Sequence, residues 1–142
     1  MLASRATNRL WNLLSTQAPD CLFVGQVCGV STDDHTSYFV PDVIVVHNKA
    51  LDRDGDSFQP SEVLLVVEVL SPSNSGVDVV LKRRYYAAAG IPSYWIVDGK
   101  TRTLTMLRLD SDSYQEEAVV RPGTMSQTDS PFAITLDPAD FL

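Results

Sequence analysis

Two acids and a lysine carry the chemistry this chain offers. Glu68 lies inside the apolar run Val63-Leu64-Leu65-Val66-Val67-Glu68-Val69-Leu70, and Asp42, after Pro41, opens the run Val43-Ile44-Val45-Val46. A carboxylate in a β-like apolar run is costly to bury alone, so Glu68 demands a cation, a donor network or an open cleft. Asp78, Lys82 and Tyr86 follow at intervals of four, after Ser71-Pro72-Ser73-Asn74. Two carboxylates, a strand carbonyl such as that of Val69, and waters would suit Mg²⁺ or Mn²⁺, which take oxygen ligands. An ammonium beside such an ion could orient or activate a water and offset phosphate charge.

These residues need elements to bring them together. Alternation puts Asp42, Ile44 and Val46 on one strand face, and Leu64, Val66, Glu68 and Leu70 on one face of the other strand. If the two strands are antiparallel neighbours, the start of one meets the end of the other and the carboxylates converge. A helix over about 76–89 has Ser75 and Asp78 in a capping arrangement and Gly90 as its stop. At 100° per residue, Val77, Val80, Leu81, Ala87 and Ala88 form its apolar face, with Asp78, Lys82 and Tyr86 as a flanking stripe.

The remaining pattern is a helix at 2–15, a β-like stretch at 21–30 with a bend at Gly25 or Gly29, and a polar turn at 31–37. A strand is expected at 38–46, a loop at 49–61 and the buried strand at 63–70. A hairpin follows, turning at Asp98-Gly99 between 94–97 and 102–109, then a strand at 114–120. Turns at 121–123 and 128–131 precede a short segment at 134–136. The sum is one α/β domain, residues 1–142, built on a mixed sheet.

Composition bounds the function. Hydrophobic residues make up 44% and charged residues 20% of the 142, values that exclude a disordered chain. The apolar runs are strand-length, too short for a membrane span, and no basic-then-apolar leader opens the chain. Cys21 and Cys28 lie seven apart, an odd offset that points them to opposite faces, so a reduced cytoplasmic protein is expected. A net charge of −7 argues against a general nucleic-acid binder, which needs concentrated basic surface. A metal-dependent nuclease is still compatible, since its acids serve as ligands while Arg5, Arg9, Lys82, Arg83, Arg84, Lys100, Arg102 and Arg108 supply local basic charge.

Each residue also has a structural alternative. Asp42 could be turn chemistry after Pro41, Asp78 a helix cap, and Asp78–Lys82 a plain helix pair. Glu68 could be one half of a structural salt bridge, and Tyr86 core packing. His35 and His47 read as surface residues, lacking ligand spacing to either cysteine.

Pro41 to Val46, Val67-Glu68-Val69-Leu70-Ser71-Pro72-Ser73, then Asp78, Lys82 and Tyr86, then residues 89–98 (Ala-Gly-Ile-Pro-Ser-Tyr-Trp-Ile-Val-Asp) together resemble the bacterial Uma-two family of restriction endonucleases, in the PD-(D/E)XK nuclease superfamily. The resemblance implies a restriction-endonuclease-like fold, a central mixed sheet flanked by helices, acting on DNA through a divalent metal. It makes Asp42 the motif aspartate and a metal ligand, and Glu68 the acid of the second half-motif. Leu70 stands where the superfamily lysine is usual, and the family pattern supplies Lys82 from the helix instead. Residues 2–15 contain no Asp or Glu, so a ligand from the first helix is absent and a shortened N-terminal segment is expected.

The leading expectation is therefore a Mg²⁺- or Mn²⁺-dependent DNA endonuclease with Asp42, Glu68 and Lys82 catalytic and Asp42, Glu68 and Val69 at the metal. Cleavage of both strands would need two sites, which a homodimer provides. The alternatives are a catalytically inactive nuclease-fold module binding DNA or protein, and a hydrolase of small phosphate esters.

Overall fold

Long apolar strands need both faces covered, and two helices provide the cover. The computed structural model describes residues 2–31, 38–53, 55–71 and 76–142, the side chains at 2–4, 77 and 78 apart. Outside the described residues lie the expected polar turn at 32–37 with His35, the segment 72–75 with its Ser75 cap, and the Asp78 side chain.

Helix α1 (Leu2–Gln17) is followed by strand β1 (Leu22–Gln26), the short pair β2 (Val30–Ser31) and β3 (Tyr38–Phe39), β4 (Val43–His47) and β5 (Val63–Leu70). Helix α2 (Gly76–Ala88) leads to β6 (Ser93–Asp98), β7 (Thr103–Asp110), β8 (Ser113–Val120), β9 (Ser126–Thr128) and β10 (Ile134–Leu136). The main sheet has six strands in the order β1-β4-β5-β6-β7-β8. Only β5 and β6 are parallel, and α2 makes the crossover between them. This is the mixed α/β sheet that the sequence led us to expect.

On one face Ala6, Leu10 and Leu14 of α1 pack over Val43, Val45, Leu65, Val67 and Trp95. On the other, Tyr86 and Ala87 of α2 pack over Ile44, Val66 and Tyr94. Burial on both faces explains why β5 reads as a nearly continuous apolar run. Trp11 ties α1 to β1 by donating its indole N–H to the Val24 carbonyl at 2.8 Å. Trp11→Phe replaces the indole by a smaller ring that cannot donate that bond, and should lower stability by at least about 1 kcal/mol in urea unfolding.

Several local expectations are corrected. The stretch 38–46 is two strands, because Pro41 has no N–H for a ladder and interrupts pairing between β3 and β4. The stretch 21–30 breaks at Val27, whose φ is 51°, and not at a glycine. Gly29 serves a different need: a Cβ there would clash with the Tyr38 ring and hydroxyl. Leu64 does not share the Glu68 face. Val45 pairs with Leu65 but Val46 with Val63, so a bulge at Leu64 turns it toward α1. The β6–β7 turn is longer than Asp98-Gly99, closing through Arg102 at φ 56° with the Asp98 carboxylate accepting the Lys100 N–H. The short segment expected at 134–136 is strand β10, and it pairs with β9, a strand that was not expected.

The expected apolar face of α2 holds at Ala87, which is buried, and fails at Val80, Leu81 and Ala88. Val80 and Leu81 are 58% and 45% exposed, while Tyr86 is buried at 1%. The reason is the sheet beneath: Glu68 lies under the helix, and the side chains that can satisfy it must point inward. Gly90, at φ 79°, ends the helix as expected.

Candidate functional site

The site forms where the start of β4 meets the end of β5. These strands are antiparallel, with Val43 opposite Val67, and the backbone N–H of Asp42 donates to the Val67 carbonyl at 3.0 Å. That register carries Asp42 to the level of Glu68 and Val69. The Val69 N–H in turn donates to Asp42 Oδ2 at 2.7 Å. Val69 thus meets Asp42 through its amide N–H, whereas its carbonyl was the group expected at the site. Asp42 Oδ1 accepts no hydrogen bond among the described residues.

Glu68 is 5% exposed, on the sheet face covered by α2. The Tyr86 hydroxyl donates to its Oε1 at 2.7 Å, and the Lys82 ammonium sits 3.3 Å from its Oε2. Lys82 and Tyr86 reach the same carboxylate because residues four apart share a helix face. Lys82 is the less enclosed partner, its side chain 24% exposed against 7% for Glu68. The structure therefore brings Asp42, Glu68 and Lys82 together. It also shows the ion pair that was the structural alternative for Glu68.

Tyr86, expected as core packing, also joins the site through this bond. The available signal was its place one turn after Lys82. Its ring is also core: it stands edge-on to Tyr94 at 5.1 Å and to Phe39 at 5.5 Å.

The family model for Uma-two, described as "putative restriction endonuclease", matches residues 2–139. The chain belongs to the Uma-two family. Its fold is similar to the crystal structure of a "putative nuclease" from Anabaena variabilis, with a TM-score of 0.72 at 19% identity over 99% of this chain and 77% of that one. At that identity the likeness speaks to the fold alone. A cryo-electron-microscopy structure of a DrdV–DNA complex matches at TM-score 0.42 and 11% identity, over 84% of this chain and 12% of that one. No curated protein matches the chain.

In this Uma-two chain, burial pushes both Asp42 and Glu68 above the usual carboxylate range. For Asp42 the Val69 N–H and the charge of Lys82 pull the other way. For Glu68 the Tyr86 hydroxyl and Lys82 pull down, while the charge of Asp42 pushes further up. The folded protein therefore holds these protons more tightly than the unfolded chain does. Below the ordinary carboxylate pKa of about 4 the two acids cost nothing, and stability falls as pH rises from there through the raised values. In chelator, Asp42→Asn should accordingly melt above wild type at neutral pH and level with it in acid, a difference that paired thermal melts would read.

Asp42 is half-buried and Glu68 buried, and one ammonium, that of Lys82, stands beside the two carboxylates. The oxygen-only donor set, Asp42 with Oδ1 available and Glu68, suits a hard divalent ion. Among the described residues no three His, Cys, Asp or Glu side chains gather as a ligand set, so two carboxylates are what these residues offer. His47, expected on the surface, is exposed, and Cys21 and Cys28 are unbridged, as expected. Among the described residues no helix is long and apolar enough to cross a membrane.

Proposed function

We propose that this chain is a metal-dependent endonuclease of the PD-(D/E)XK type, hydrolysing phosphodiester bonds in DNA, with residues 1–142 working as one domain. One observation carries the reading: Asp42 and Glu68 sit at adjoining strand ends under α2, with Lys82 Nζ 3.3 Å from Glu68 Oε2. The Uma-two description as restriction endonucleases and the "putative nuclease" fold likeness support it.

In this reading Asp42, Glu68 and the Val69 carbonyl hold Mg²⁺ or Mn²⁺. The bound ion lowers the pKa of water and offsets charge on the phosphate. The chain's own residues do the rest. Val69 fixes the Asp42 carboxylate through its N–H, and Lys82 supplies a cation that orients the attacking water. Water adds to phosphorus in line with the departing oxygen and loses a proton to solvent, the phosphodiester P–O bond breaks, and the departing oxygen takes up a proton from solvent to leave as an alcohol. A symmetric dimer would cut both strands. Unpaired cysteines suit a cytoplasmic setting.

A second reading, a catalytically inactive module that binds DNA or protein, is favoured by one observation: each oxygen of Glu68 already has a partner on α2. Nicking of supercoiled plasmid by the purified protein in Mn²⁺, compared with chelator, separates the two. Metal-dependent nicking is expected, and its absence would leave the module.

A further inference from the structure

We infer that Tyr86 is a positioning residue that reserves Glu68 Oε1 and so leaves Oε2 as the oxygen presented to a cation. The inference rests on the proposed metal site and goes beyond it, to which oxygen serves and what fixes it.

The two partners of Glu68 are unequal. Tyr86 is 1% exposed, its ring held edge-on between Phe39 and Tyr94. Its hydroxyl donates to Oε1 at 2.7 Å, a short bond of the charge-assisted kind. Tyr86 can leave only by disturbing the ring cluster. Lys82 is longer, more exposed and farther from its oxygen at 3.3 Å. A flexible four-carbon stem lets an ammonium move aside without moving the core. A cation entering the site therefore competes with Lys82 for Oε2, while Oε1 stays with Tyr86. Glu68 becomes a one-oxygen ligand with a fixed carboxylate plane. This is how outer groups commonly set a ligand's orientation, and their loss typically costs about 10-fold to 100-fold in metal affinity.

The test is a Mn²⁺ titration read by water-proton relaxation and by thermal shift. Tyr86→Phe keeps the ring and removes the hydroxyl, and should raise the Mn²⁺ midpoint about 10-fold to 100-fold. Phe39→Leu loosens the same cluster without touching Glu68, and should lower the Tm while keeping the wild-type midpoint. An unchanged midpoint in Tyr86→Phe overturns the inference and leaves the metal site standing. An equal loss in Phe39→Leu overturns it in favour of packing. No saturable binding in wild type overturns the inference and the metal site together. Should Tyr86→Phe fail to fold, NMR of the wild-type protein decides: the Tyr86 hydroxyl proton should persist at low field when Mg²⁺ saturates the site. Its disappearance on Mg²⁺ addition would show that both oxygens turn to the ion, against the inference.

Discussion

Asp42→Ala and Glu68→Ala each reduce Mn²⁺-dependent plasmid nicking by at least about 100-fold, more than the loss of an outer-shell partner typically costs a metal site. Among the described residues the two acids are the oxygen donors that meet at these strand ends, and neither has a third acid beside it to take over. Asp42→Ala should leave the fold in place, since it removes a charge whose burial is unfavourable. Glu68→Ala removes such a charge too, but leaves the buried Tyr86 hydroxyl without its acceptor, which costs about 1–3 kcal/mol, so its folded fraction is measured beside its activity. Asp42→Ala gives up the contact with the Val69 N–H, but Asp42 stands just before β4 and its backbone bond to Val67 does not depend on the side chain. Circular dichroism and gel nicking on the same preparations check the prediction. Wild-type nicking rates in both variants would mean that the cleavage belongs to a contaminant.

Lys82→Ala is the second large effect, and it appears in stability as well as activity. The ammonium is the cation that holds Glu68 Oε2, and the Glu68 side chain is only 7% exposed. Removing one partner of a fully buried pair costs roughly 3–5 kcal/mol, because the other charge is left uncompensated. Here Lys82 is partly exposed and Tyr86 still donates to Oε1, so about 2 kcal/mol is the appropriate scale. For a chain of this size that is roughly an 8 °C fall in Tm. Two treatments should reverse it. Acid protonates Glu68, whose pKa rises further once Lys82 is gone, so the deficit shrinks as pH falls toward the carboxylate range. Mn²⁺ replaces the missing cation, and binding to the folded state at about 100 times its dissociation constant adds about 2.7 kcal/mol. Nicking stays low even at saturating Mn²⁺, because the group that orients water is absent. A deficit insensitive to both pH and metal would make Lys82 a packing residue.

Much of this site was legible from residue types because its demands are local. Glu68 in an apolar strand could not be left unpaired, and spacing by four was enough to connect it to Lys82. The antiparallel meeting of β4 and β5 followed from where the acids sat in their runs. What failed depended on how elements rotate against each other. Counting apolar residues around α2 chose Val80 and Leu81 for the core, yet the helix turns its lysine and tyrosine inward to serve the carboxylate. Tyr86 was read as packing because a sequence does not reveal that a buried ring also carries a bond at its tip. The strand break at Val40 to Asp42 was foreseeable from Pro41, whereas the positive φ of Val27 had no signal in its residue type. The β9–β10 pair was missed because three-residue strands carry too little alternation to register.

In the proposed function Asp42 and Glu68 form a cation site now held by Lys82. A crystal structure after soaking in Mn²⁺, with anomalous data to identify the ion, tests it most directly. The expected result is one Mn²⁺ between Asp42 and Glu68 Oε2, with Lys82 withdrawn from that oxygen and Tyr86 still on Oε1. An intact Lys82–Glu68 pair with no anomalous peak between the carboxylates would contradict it.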